Sequence, residues 1–262
     1  MFYSRLARLV FGVVVVAIGA FLLLPTLIIL PISFSAASDT LFPPTAFSLK
    51  WYRSVLSDPD WQSAAITSFQ VACLTVICAV VLGTAAALAL FRGRFAGRAL
   101  ARALLLSPLV TPVVVLAIGI FMVFSRWHLV GTLIGLVAAD TILAIPFVVA
   151  LVTATLQTLN PNLELASAGL GAGPWRTFWR VVLPLILPGV VAGAIVAFIT
   201  SWDEVVIAIF LTTPSLRTLP VLIWSGVRAE LSPAVAAVGS ILIIVSAMGM
   251  LAVRLITKEE PR

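Results

Sequence analysis

Six long stretches of the chain carry no charge, at 9–38, 61–91, 103–125, 141–163, 181–202 and 231–253, and the charges gather in the short segments between them. Each stretch reaches the roughly 20 apolar residues that cross a ~30 Å hydrocarbon core. Backbone N–H and C=O groups in lipid must be satisfied within their own segment, so each stretch predicts a helix. The pattern places spans near 10–30, 64–90, 103–124, 131–153, 185–211 and 234–256; the fourth contains Asp140 and the fifth Asp203 and Glu204. Arg5 and Arg8 precede the first run as they would in a signal peptide. Its apolar length exceeds the about 7–15 residues of a signal core, and no small-residue cleavage site follows at the right distance, so a retained first span is expected. The expected fold class is all-α, a polytopic membrane bundle of six helices forming one domain over residues 1–262.

One segment breaks the alternation of span and short connector. Residues 163–189 hold a short polar helix, a turn with Gly169, Gly171 and Gly173, and a second helix with Trp175, Arg176 and Arg180; Pro184 and Pro188 then lead into the fifth span. A connector between two spans needs only a few residues, so this length predicts a docking surface. The outer segment 33–62 mixes Trp51, Tyr52 and Trp61 with charges, which suits a short helix lying at the interface.

Composition agrees with the pattern. Hydrophobic residues make up 62% of the chain and charged residues 10%, too few to cover a soluble domain of this size. With both termini inside, the cytoplasmic basic residues are Arg5, Arg8, Arg92, Arg94, Arg98, Arg102, Arg176, Arg180, Arg254, Lys258 and Arg262, against Lys50, Arg53, Arg126, Arg217 and Arg228 outside. Eleven against five follows the positive-inside bias and puts the 163–184 loop in the cytoplasm. The net charge of +6 is then a matter of topology and of membrane lipid, with no nucleic-acid partner required. Arg92, Arg94, Arg98 and Arg102, with Gly93 and Gly97, form a basic turn after the second span that suits stop-transfer and lipid contact.

Polar groups inside the spans narrow the chemistry. A carboxylate at bilayer depth costs roughly 2.5–3.5 kcal/mol, so such groups face a cavity or a partner. Asp140, Asp203 and Glu204 are therefore the candidates for a translocation pathway. Asp203 and Glu204 sit about 100° apart on a helix and cannot both point one way. Pro108, Pro112 and Pro146 predict kinks in the third and fourth spans. Catalytic patterns are missing: His128, the one histidine, falls in a short outer turn, and Cys73 and Cys78 read as apolar core residues without metal spacing. The lysines, Lys50 and Lys258, follow no phosphate-binding glycine loop, so energy must come from another subunit or an ion gradient.

The 163–184 loop resembles the cytoplasmic loop of ATP-binding-cassette importer permeases, whose pattern is Glu-Ala-Ala, three residues, Gly, nine residues, Ile, one residue, Leu-Pro. Ala166, Ser167, Gly171, Val181, Leu183 and Pro184 fall on six of these positions, while Leu165 stands where the pattern has glutamate and Glu164 lies one residue earlier. Residues 10–256 are also similar to permeases of the spermidine/putrescine type, through Ser48-Leu-Lys-Trp-Tyr-Arg53, Ala144-Ile-Pro-Phe147, Ser201-Trp-Asp-Glu-Val-Val206 and Arg217-Thr-Leu-Pro220. The resemblance implies a type I importer permease in the inner membrane that carries out no chemistry itself. It also implies ATPase subunits that use ATP, a second permease chain, an extracytoplasmic solute-binding protein and a small solute. That solute is a polyamine or a related cationic or amino-acid-like compound, with ferric iron among the alternatives in the subfamily. The loop's coupling helix would dock on the ATPase through Glu164, Ala166, Ser167, Gly171, Ala172, Trp175 and Arg176, with Trp175 and Phe178 packing the second helix on the bundle. A proton-driven carrier could use the same three acids, but six spans without an internal repeat fit that class less well. A membrane enzyme lacks a catalytic constellation.

Overall fold

A computed structural model of the chain describes residues 5–257 apart from 39, 41, 230 and 231. In chain order the helices are α1 (Arg5–Ser33), α2 (Lys50–Ser57), α3 (Pro59–Arg92), α4 (Arg98–Leu106), α5 (Val113–Arg126), α6 (Leu133–Gln157), α7 (Asn162–Gly169), α8 (Pro174–Thr177), α9 (Leu183–Trp202), α10 (Val206–Leu211), α11 (Leu219–Ala229) and α12 (Pro233–Thr257). Lys258 and Arg262, placed in the cytoplasm by the charge pattern, lie outside the described residues, and the side chains of Arg5, Arg8 and Arg254 are likewise not described.

Among the described residues four helical segments are long and apolar enough to cross a membrane: Leu9–Ser33, Pro59–Arg92, Leu133–Gln157 and Pro174–Trp202. The sixth expected span falls on the 25-residue α12. The third expected span, 103–124, is not one straight helix. It is broken at 110–112, and its two halves, Arg98–Leu109 and Val113–Arg126, meet at 107°. Pro112 explains the break, since it stands with an extended ψ of 127° as the residue before α5 and has no N–H to continue a helix. Pro146, by contrast, is accommodated within α6. The fifth expected span, 185–211, is also interrupted: α9 stops at Trp202, and α10 begins only at Val206. Asp203 and Glu204 therefore lie in the break rather than in a helix.

The chain divides into two compact units, residues 1–62 with 223–262, and residues 63–222. In the first unit α12 packs on α1 and α2. The segment between α1 and α2 is pinned by polar contacts: Ser33 Oγ and Tyr52 Oη lie 2.7 Å apart, and Trp51 Nε1 donates to the Ala37 carbonyl at 3.1 Å. The short helix expected in 33–62 is α2, whose Trp51 and Tyr52 are both bonded to the chain, while Trp61 stands on α3 instead.

The second unit is organised around α6, which packs most extensively on α9. One core cluster joins α3, α6 and α9 through Ala79, Ala87, Val148, Val152, Ile186 and Ala197. A second, with Phe124, Leu136, Ile207 and Leu211, gathers α5, the start of α6 and α10. Thr132 starts α6 by accepting the Gly135 N–H at 3.0 Å, supplying a partner that the first turn lacks. Small residues set the helix spacing. On α9, Gly189, Gly193 and Ala197 recur every fourth residue, so they share one face. A Cβ on Gly193 would stand 3.3 Å from the Val148 Cα, and one on Gly83 of α3 would stand 2.8 Å from the Val148 Cβ. Val148 is wedged between two glycines on two different helices.

Gly83→Val should destabilise the protein by ~1–3 kcal/mol through overpacking. Gly12→Val in α1, where an added Cβ meets nothing within 4 Å, should not. Thermal unfolding of the purified variants, followed by fluorescence-detected size exclusion, reads both.

Candidate functional site

The loop between α6 and α9 is built by a helix stop. After α7 the backbone turns at Gly171, whose φ is +80°. The Gly171 N–H donates to the Ala168 carbonyl at 2.9 Å, and the Ala172 N–H to the Ser167 carbonyl at 3.1 Å. These paired bonds over a left-handed residue are a Schellman stop, satisfying carbonyls that a helix end otherwise leaves open. A Cβ on Gly171 would meet nothing within 4 Å, so within this chain the glycine is needed for its backbone conformation and not for clearance. Ser167 and Thr177 place their hydroxyls 2.9 Å apart and tie α7 to α8. From Thr177 the chain passes through a five-residue π-helical stretch, Phe178–Val182, straight into α9.

The seven docking candidates divide into two groups. Glu164 forms an ion pair with Arg92 at the end of α3, so the acid expected to meet a partner protein already has one in its own chain. Both groups are partly exposed, and such pairs stabilise by only ~0–1 kcal/mol, but this one joins elements 72 residues apart. Ser167 is half-buried in its bond to Thr177, and Ala172 is half-buried beyond the turn. Ala166, Gly171, Trp175 and Arg176 are exposed. Trp175, expected to pack the second helix on the bundle, is instead 73% exposed, with Leu165 at 69% and Leu170 at 90%. Phe178 does pack on the α3–α6–α9 core, and Trp175 lies against Phe178 and Trp179 at centroid distances of 6.3 and 5.6 Å. The reason is position along the helix: Trp175 stands one turn before Phe178, ahead of the stretch that packs on the core.

The three intramembrane acids occupy different environments. Asp140 on α6 is buried, and its Oδ2 accepts a hydrogen bond from Ser201 Oγ on α9 at 2.5 Å. Glu204 is buried as well. Its Oε1 accepts the Ile207 N–H and its Oε2 the Ala208 N–H, each at 2.8 Å, so it supplies partners to the first amides of α10. Asp203 is exposed and makes no hydrogen bond or ion pair through its side chain among the described residues. Next to it Trp202 stacks on Phe198 with centroids 5.7 Å apart at 12°, and Phe198 meets Phe69 edge-on at 6.5 Å. This aromatic row leading to a free carboxylate was not foreseen. Its signal was present in the spacing of Phe198 and Trp202, four residues apart just before Asp203.

The fold and loop define a multi-pass helical membrane protein with an exposed, partly apolar loop at one end. Residues 79–259 match the family described as "Binding-protein-dependent transport system inner membrane component". The chain is 30% identical over 260 residues to the spermidine/putrescine transport system permease protein PotC of Escherichia coli K12, covering 98% of this chain and 97% of that one. It is also 30% identical over 257 residues to the putrescine transport system permease protein PotI of the same strain, covering 95% and 91%. Among solved structures, a bacterial ABC transporter involved in the import of the acidic polysaccharide alginate shares the fold, with a TM-score of 0.71 over the full length of both chains at 18% identity. The chain belongs to the family of binding-protein-dependent transport system inner membrane components. It is the permease of an ATP-driven importer, a transport subunit and not an enzyme.

Ser201→Ala would leave the buried Asp140 carboxylate without its bond and should cost ~1–3 kcal/mol. Asp203→Asn should stay within ~0.5 kcal/mol of wild type, as surface changes usually do. Thermal midpoints of the two purified variants compare them directly.

Proposed function

We propose that this permease moves a cationic small solute, a polyamine or a related amine, and that residues 163–184 are the surface on which an ATPase subunit drives it. The observation that carries the docking role is the exposed apolar set Leu165, Leu170 and Trp175, standing on a loop whose shape is fixed by the Gly171 stop and the Ser167–Thr177 bond. Isolated exposed apolar residues are ordinary, but three of them on one rigid loop favour a protein partner. In this reading Ala166, Gly171, Ala172, Trp175 and Arg176 meet the ATPase. Glu164 and Ser167 act from behind, holding the loop to α3 and α8. The loop and both termini face the cytoplasm, and residues 1–262 work as one permease domain. A second permease chain completes the pathway, an extracytoplasmic binding protein delivers the solute, and the ATP is used by the ATPase subunits.

The substrate class rests on the relatives, which are polyamine permeases by name, and on the aromatic row ending at Asp203. A protonated amine is attracted both to a carboxylate and to the face of an indole ring, worth ~0.5–2 kcal/mol for the ring alone. Asp203, the acid with an uncommitted carboxylate, is the one suited to a moving cation. Asp140 and Glu204 hold α6, α9 and α10 in place around it.

Gly171→Asp should abolish ATP-dependent uptake while membrane insertion stays intact, because a side chain at φ +80° distorts the stop and adds a charge to the docking surface. Uptake at the wild-type rate in a correctly inserted variant would remove the docking role. Asp203→Asn should lower polyamine uptake roughly tenfold and leave any uptake of neutral amino acids unchanged. Equal effects on charged and neutral solutes would remove the charge argument.

A further inference from the structure

A cavity of about 320 Å³ opens where the end of α3, the first turns of α4 and the last turns of α6 meet. Leu90, Phe91 and Val149 are part of its apolar wall, and Arg98, Arg102 and Gln157 part of its polar one. The two arginines are four residues apart on α4, so they lie on one face and converge on the same space. Among the described residues no carboxylate lines the cavity, and Glu164 of the neighbouring loop is paired with Arg92 instead. Two guanidinium groups and an amide without an acid between them form a receptor for an anion with several oxygens, and a phosphate fits that description.

The position of α4 decides where such a phosphate comes from. The 98–109 segment turns by 107° from α5. If α5 crosses the bilayer, α4 lies close to the membrane plane at its boundary. Leu100 and Leu104 of α4 are each 64% exposed, on a helix that also carries the two arginines. A helix with exposed leucines and arginines in that plane sits at the depth of lipid headgroups. The apolar wall beside the arginines suits the start of an acyl chain and gives nothing to a free inorganic ion. We propose that this cavity binds one anionic phospholipid, with its phosphate between Arg98 and Arg102 and the first carbons of an acyl chain along Leu90 and Val149.

The test uses the full chain purified in its native assembly, delipidated, and offered phosphatidylglycerol or phosphatidylcholine in mixed micelles, with bound lipid counted by native mass spectrometry. Wild type should retain phosphatidylglycerol in preference to phosphatidylcholine. Arg98→Gln with Arg102→Gln should weaken that retention about thirty-fold, from two cations removed near the surface. Ala154→Trp, which fills the cavity from the α6 side and keeps both arginines, should also abolish it, and this variant serves if the double one does not fold. Arg94→Gln, outside the cavity lining, should change nothing. Retention unaltered in the well-folded double variant or in Ala154→Trp would overturn the proposal. Equal loss in Arg94→Gln would do the same, by reducing the effect to diffuse surface charge. Inorganic phosphate that binds as tightly as the lipid and displaces it fully would assign the cavity to a free anion. Transport activity enters none of these readouts, so they stand apart from the polyamine reading.

Discussion

Val148 is the point on which the second unit depends. It lies on α6 with Gly83 of α3 on one side and Gly193 of α9 on the other; a Cβ at Gly83 would clash with it, and one at Gly193 would crowd it. Between helices in lipid there is no water to expel, so association relies on close van der Waals packing and on polar contacts. Both are present along this seam. The Gly189, Gly193 and Ala197 face brings α9 against α6, and the Ser201–Asp140 bond closes the same pair of helices further along. Because the loop with α7 and α8 joins the ends of these two helices, a force applied to it acts on a firmly packed pair.

The loop itself is stiff for local reasons. A Schellman stop, one hydroxyl pair and one ion pair fix it to α3, α8 and its own helix end, and none of these contacts uses the side chains of Leu165, Leu170 or Trp175. Polar groups hold the loop's shape from within, and apolar groups are left for a partner. The opposite division holds at the far end of α9. There the buried acids Asp140 and Glu204 hold the structure, and the exposed acid Asp203 stands beside an aromatic stack.

Much of this was legible in the residues, and the rest failed for identifiable reasons. Uncharged runs locate α1, α3, α6, α9 and α12, since a bilayer imposes a minimum apolar length. Those runs cannot show where a helix breaks inside an apolar stretch, which is why the bends at 110–112 and 203–205 appear only in three dimensions; Pro112 and the Asp203–Glu204 pair were the available hints. The turn at Gly171 followed from spacing, because a left-handed stop needs that residue type. Arg92 and Glu164 could not be paired from a single sequence at a separation of 72 residues. The fourfold spacing of Gly189, Gly193 and Ala197 was open to reading and was missed, because attention to apolar length hides small residues within it. The exposure of Trp175 depends on how far along the segment the core reaches, which composition does not reveal.

That segment, Phe178–Val182, winds wider than the α-helices it joins, and so it resets the angular phase between α8 and α9. Removing one residue from the α-helical turns between it and Gly189 would rotate everything downstream by roughly 100° relative to the loop. The glycine face of α9 would then look away from Val148, and bulky aliphatic groups would arrive where only hydrogen fits. Length in this stretch is therefore as tightly constrained as residue identity, and homologous permeases with an indel there would have to rebuild their entire helix seam.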